Sequence, residues 1–219
     1  MLRRAGLVGW LGRATFDNFN IRADWPESAD IKSRVMAYCA GLIDDTLPKS
    51  RNWLILCGNY GNGKSHLAAA IIQHTFIIKR PSYFRVWPAY LERIKASWER
   101  ERHTSYDDSE DGPAETEADI ARELQVGKVV AIDDLDKKMA TEWTKSTLYS
   151  VLNHRYNAEL PTILTFNYGP GETDPKAPGR SALEAYLGRA VLDRVIGATY
   201  DIIEFTGPSF RSGVTFGAR

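Results

Sequence analysis

Apolar residues along this chain alternate between two rhythms. Short apolar runs bounded by polar, Gly or Pro residues predict strands at Trp53–Cys57, Ser82–Trp87, Lys128–Ile132, Pro161–Phe166 and Thr199–Phe205. Between them, apolar positions recur at helical spacing. The pattern predicts helices over Ala29–Ile43 with Ser28 as cap, His66–Ile72, Pro88–Arg102, Glu117–Gln125, Glu142–Asn157 and Ser181–Ile196, the last broken near Gly188. Ile31, Val35, Tyr38, Cys39 and Leu42 mark the buried face of the first helix. Strands alternating with helices predict an α/β fold with a mostly parallel sheet covered on both faces.

The segments between these elements read differently. Residues 1–27 form an N-terminal extension with Phe16, Phe19 and Trp25 as apolar anchors, ahead of one domain over residues 28–219. Residues 104–116, rich in Asp, Glu, Ser and Gly, read as a mobile acidic surface loop. Residues 168–179, with Pro and Gly throughout, read as a second loop.

Composition narrows the picture. Lys plus Arg number 28 and Asp plus Glu number 28, so nucleic-acid binding requires a local basic patch. Cys39 and Cys57 sit apart in apolar stretches, as core thiols suited to a reducing cytoplasm. No apolar run reaches membrane-spanning length, and Gly6, Gly9 and Gly12 interrupt the weakly apolar start, so no signal peptide and no membrane role are expected.

The most specific chemistry lies between the first strand and the second helix. Gly58-Asn59-Tyr60-Gly61-Asn62-Gly63-Lys64-Ser65 matches the Walker A phosphate loop, followed by His66. Glycines let successive backbone N–H groups converge on phosphate oxygens, and a helix N-terminus faces the same anion. Lys64 is placed to reach the β- and γ-phosphates, and Ser65 to help hold Mg²⁺.

About 70 residues on, four apolar residues end in Asp133-Asp134. Carboxylates at the end of a buried strand fall beside such a loop, as a Walker B pair. Asp133 is expected to orient Mg²⁺ with Ser65, and Asp134 to polarise the attacking water. Asn167, ending the next apolar strand, either bonds that water or the γ-phosphate, or is a turn residue. These groups leave transition-state charge unbalanced. Arg189, Arg194 and Arg211 are candidates to complete it, weighed against solvated surface positions.

Taken in order, several segments resemble the AAA+ ATPases, and within them the DnaC/DnaI helicase loaders and the IstB transposition helpers. They are Thr15-Phe16-Asp17-Asn18-Phe19, residues 58–71, Ala131–Leu135, Leu164–Asn167, Leu187–Val195 and Ser209-Phe210-Arg211. The resemblance implies a three-layer P-loop NTPase sandwich with five parallel strands in the order 5-1-4-3-2 and no helical lid domain. It also implies ATP and Mg²⁺ as ligands, Asn167 as sensor 1, Arg194 as an arginine finger reaching a neighbour's ATP, and Arg211 as a sensor-2-like arginine. Partners implied are single-stranded DNA, a replicative helicase, and further copies of the chain in an ATP-dependent oligomer. The resemblance is to a member without the usual N-terminal helicase-gripping domain. Asp136 departs from the Gly often found after the Walker B acids.

A DNA track needs aromatic platforms beside cations. Trp98, with Arg93, Lys95, Arg100 and Arg102, offers one cluster. Trp143, with Lys137, Lys138 and Lys145, offers another. Packing of both tryptophans against neighbouring helices is the competing reading. The expectation is therefore a cytoplasmic ATPase that binds single-stranded DNA and loads or remodels a replicative helicase. The alternatives are an IstB-like helper that binds duplex DNA and recruits a transposase, and a nucleotide-gated interaction module with negligible hydrolysis.

Overall fold

The computed structural model describes residues 2–78, 80–103, 115–137, 141–168 and 182–211. The elements run α1 (Glu27–Ile43), β1 (Trp53–Gly58), α2 (Lys64–Ile77), β2 (Ser82–Val86), α3 (Trp87–His103), α4 (Glu117–Val126), β3 (Val129–Asp133), α5 (Glu142–Asn157), β4 (Thr162–Thr165), α6 (Ala182–Leu187), α7 (Arg189–Ala198) and β5 (Thr199–Phe205). The expected acidic loop, apart from residues 115 and 116, and almost all of the expected Pro/Gly-rich loop lie outside the described residues.

All five strands pair in parallel, in the order β2-β3-β4-β1-β5. Read from the other edge, this is the expected 5-1-4-3-2. Side chains of a strand alternate between faces, and here both faces are buried. On β1, Leu54 and Leu56 join one core with α1 and α2. Trp53, Ile55 and Cys57 join the other core, with α3, α4, α5 and α7. Val129 and Ala131 against Val130 and Ile132 repeat this division on β3.

Residues of the expected N-terminal extension complete the first core. Ala5, Leu7, Ala14, Phe16, Phe19 and Trp25 are buried in it. The Phe84 backbone N–H, on the edge strand β2, donates to the Ala5 carbonyl at 2.6 Å. Thus part of an exposed sheet edge is satisfied by the chain's own beginning.

The start of α1 differs from expectation. Pro26 occupies the N-cap position. Ser28 lies inside the first turn, where its Oγ donates to the Trp25 carbonyl at 2.6 Å and accepts from Arg22 N–H at 3.0 Å. The preceding turn at Trp25 has claimed the hydroxyl, so Ser28 closes that turn and does not cap the helix. The break at Gly188 is as expected: it separates α6 from α7 at a φ of 77°.

Candidate nucleotide site

The strand order puts the C-terminal ends of β1, β3 and β4 side by side, and the expected site residues gather there. The loop after β1 turns through glycines with positive φ. A Cβ on Gly58 would sit 2.3 Å from the Phe205 carbonyl oxygen, and one on Gly63 would sit 2.6 Å from the Phe19 ring. Both positions therefore require glycine, for space and for backbone angle. Gly63 ends the loop in a left-handed conformation, and α2 starts at Lys64. The helix N-terminus thus opens on the loop.

Oxygens of the loop surround Lys64. Its Nζ donates to the carbonyls of Gly58 at 2.7 Å and Asn59 at 2.5 Å, and to Asn62 Oδ1 at 3.3 Å. Burial pulls its pKa down, opposed by Asp134, Asp136 and Asp133. Asn62 is itself pinned, donating to the Phe205 carbonyl at 2.7 Å.

Asp133 is buried. Its Oδ1 accepts from Ser65 Oγ at 2.8 Å and from Thr165 Oγ1 at 2.7 Å. Burial, aided by neighbouring Asp134, pushes its pKa up to about 6, against the pull of the two hydroxyl bonds. The Thr165 hydroxyl also accepts the Asp134 backbone N–H at 2.9 Å. One β4 side chain therefore holds both acids. Its role left no signal in the sequence, because Thr is an ordinary strand residue.

Asp134 has a φ of 58°, unusual outside glycine. This reversal starts a short 3-10 turn, Leu135–Lys137. Within the turn, Asp136 points toward β4 and accepts two hydrogen bonds from Asn167. Lys137 folds back so that its Nζ lies 2.5 Å from Asp134 Oδ2. Lys137, expected on a DNA surface, lines the nucleotide cleft, where the turn directs it over Asp134. Lys138 lies outside the described residues.

The cleft is lined by Tyr60–His66, Asp134, Lys137 and Asn167, with Trp10, Asn18, Phe19 and Asn20 from the N-terminal segment and Phe210 and Arg211 from the tail. The His66 ring donates to the Thr15 carbonyl at 2.8 Å and meets Phe19 edge-on. The tail is anchored by the Phe210 N–H bond to the Gly61 carbonyl, 2.7 Å. Trp10 and Asn20 were not among the expected site residues, since nothing local marks a loop that packs across a distant cleft.

Two expected groups lie elsewhere. Arg194 and Arg189 do not line this cleft. The Arg194 guanidinium stacks 5.6 Å from the Tyr149 ring centre and donates to the Ala190 carbonyl at 2.9 Å. Trp98 and Trp143 are half-buried and pack edge-on at 5.2 Å. Trp98 Nε1 donates to Glu117 at 2.6 Å, and Lys95 Nζ lies 5.5 Å from the Trp143 ring centre. Arg93 is engaged by Glu115 and Glu123, so its charge is compensated. The structure therefore joins the two tryptophans, which lie 45 positions apart in the chain, into one cluster and pairs Arg93, one of its expected cations, with two carboxylates.

No family model matches the chain. It is 29% identical over 123 residues to the uncharacterized protein YqaM of Bacillus subtilis (strain 168), a stretch covering 52% of this chain and 34% of that relative. The chain thus spans about a third of the curated relative it matches. Among solved structures, it is similar to the DnaC helicase loader, with a TM-score of 0.64 and 17% identity, covering 91% of this chain and all of that one. It is also similar to the replication initiator DnaA bound to AMPPCP and single-stranded DNA, with a TM-score of 0.62 and 14% identity, covering 88% of this chain and 50% of that one. With this strand order and phosphate loop, the protein has the AAA+ P-loop NTPase fold.

Proposed function

We propose that this protein is an ATPase that binds single-stranded DNA and loads or remodels a replicative helicase in the cytoplasm. The carrying observation is the convergence of Lys64, Ser65, Asp133, Asp134 and Asn167 on one sheet edge around one cleft, where Ser65 bonds Asp133 and Thr165 bonds both acids. Phosphates fit against the loop N–H groups and Lys64. Ser65 Oγ and Asp133 Oδ1, 2.8 Å apart, are two hard oxygen donors of the kind Mg²⁺ uses when water and phosphates complete its shell. The ion, when bound, supplies charge neutralisation at the β- and γ-phosphates. Asp134 takes the proton of the attacking water, and Asn167 orients that water. In this reading the base lies against Trp10, Asn18 and Phe19, which line the cleft, and Arg211 contacts the phosphates.

Likeness to the DnaC helicase loader and to DnaA holding AMPPCP and single-stranded DNA supports the DNA and helicase parts of this reading. The Trp98–Trp143 cluster with Lys95 is the candidate DNA contact. The position of Arg194 outside its own cleft supports action on a neighbour's nucleotide in an oligomer.

The test compares phosphate release by wild type and Lys64→Ala, with and without oligo-dT, alongside anisotropy of labelled oligo-dT. Turnover above the mutant and ATP-dependent DNA binding are expected. Wild-type turnover equal to the mutant under all conditions would make the protein a nucleotide-gated interaction module. DNA binding unchanged by joint Trp98→Ala and Trp143→Ala substitution would remove that cluster from the DNA contact.

A further inference from the structure

The cleft contains a cation that the usual parts of such a site leave unassigned. The left-handed backbone of Asp134 reverses the chain after β3, and Lys137 N–H closes the turn on the Asp134 carbonyl at 3.2 Å. The turn then divides its charges. Asp136 goes to Asn167, while Lys137 extends into the cleft, pairing with Asp134 at 2.5 Å and lying 5.9 Å from the Tyr60 ring centre. Lys64 is held by oxygens of its own loop. Lys137 has a looser setting. Its side chain is 40% exposed, and its Nζ lies over the ring of the exposed Tyr60 of the phosphate loop. A flexible ammonium in this position can exchange one anionic partner for another by rotating its side chain.

We propose that Lys137 is a γ-phosphate-sensing cation acting within its own subunit. Paired with Asp134 in the nucleotide-free protein, it transfers to the γ-phosphate when a triphosphate binds. This rests on the ATPase reading above. The transfer has two chemical results. It leaves the Asp134 carboxylate free to accept a proton, and it places a positive charge where charge develops. In the step that follows, the water oxygen bonds to the γ-phosphorus as the bond from that phosphorus to the β–γ bridging oxygen breaks. The bridging oxygen keeps the electron pair on ADP, and the water's proton passes to Asp134. Lys137 forms no covalent bond. A diphosphate offers no γ-oxygen, so with ADP the lysine stays on Asp134.

The test uses the full chain with Lys137→Met, which keeps the stem, and Lys137→Arg, which keeps the charge. AMPPCP and ADP compete separately against a fluorescent ADP. Lys137→Met is expected to weaken AMPPCP about tenfold, the loss of one charge-assisted hydrogen bond, while ADP changes less than about threefold. Turnover falls on the order of a hundredfold, as when one transition-state donor is lost. Lys137→Arg retains AMPPCP affinity. Equal shifts for AMPPCP and ADP, or none, overturn the proposal. Faster turnover in Lys137→Met also overturns it, making the ion pair a brake. So does a loss of oligo-dT binding with nucleotide handling intact, which makes Lys137 a DNA contact. If wild type shows no turnover above Lys64→Ala, the hydrolysis reading fails, and the AMPPCP–ADP difference still decides the role of Lys137.

Discussion

Asn167 donates two hydrogen bonds to Asp136, from its backbone N–H to Oδ2 at 2.7 Å and from its side-chain Nδ2 to Oδ1 at 2.8 Å. A carboxylate accepts only, so the pair orients the amide and directs Oδ1 away from Asp136. Burial raises the Asp136 pKa, opposed by the bonds from Asn167. This accounts for an acid after the Walker B pair: it positions the candidate sensor. Asp136→Ala is expected to lower turnover about tenfold, because a misoriented group costs transition-state contact more than ground-state binding. Asp136→Asn should recover part of that, since its carbonyl still accepts one bond. ADP affinity should change less than about twofold. Parallel losses of turnover and ADP affinity in both variants would make Asp136 a folding residue only.

Asp133 predicts a pH-dependent cost in the metal-free, nucleotide-free protein. Its folded pKa of about 6 lies above its ordinary value of 3.8. Between these values the folded state binds more protons than the unfolded one. Its contribution is therefore most favourable below the lower value and is lost as pH rises through about 6. Asp133→Asn should stabilise the apoprotein at neutral pH by about 1–3 kcal/mol, an effect that vanishes in acid. Urea unfolding across pH in EDTA checks it. A variant no more stable than wild type at neutral pH would count against the buried, ionised carboxylate.

Arg155 is fully buried, and the groups it bonds are neutral. Its guanidinium donates to Thr162 Oγ1 and to the carbonyls of Leu124, Gly127 and Pro161, at 2.6–2.8 Å. It thus ties the end of α4, the start of β4 and α5 together below the sheet. Burial draws its pKa down to about 9, which leaves it charged at neutral pH. Arg155→Met would strand buried acceptors, at a cost of about 3–5 kcal/mol in guanidinium chloride unfolding. Lysine should rescue little, lacking the planar fork. A loss below about 1 kcal/mol would mean that water replaces the guanidinium.

Arg194 sits on α7 away from its own cleft. If it serves a neighbour, Arg194→Ala and Asp134→Ala proteins should each lack turnover while binding ATP. Mixed, they should recover some activity, because interfaces pairing an intact cleft with an intact arginine form only in mixtures. A mixture as inactive as its components would exclude action between subunits by Arg194.

Much of the molecule is legible in the sequence. Strands such as Trp53–Cys57 show in the sequence because burial on both faces demands an unbroken apolar run. The phosphate loop shows because its glycines and lysine are contiguous, and Asp133 and Asp134 show because they end a strand. Ser28 misled because a hydroxyl near a helix start can serve either the helix or the turn before it. The place of Lys137 in the cleft was not legible, because closeness in sequence does not fix which side chains share a surface.

What the sequence determined alone was therefore whatever is written within one turn or one strand: the alternation of elements, the parallel sheet, the phosphate loop and the two acids. Which groups meet was decided only by the tertiary structure. The pairing of Ile132 with Leu164 sets the β3–β4 register that brings Thr165 against Asp133. The left-handed backbone at Asp134 sends Asp136 to Asn167 and Lys137 back into the cleft. Packing of residues 2–25 on the α1–α2 face carries Phe19 to the cleft wall. Most of these contacts join residues far apart in the chain, and the reversal at Asp134 falls on a residue with no glycine to mark it, so no local rule of spacing or propensity encodes them.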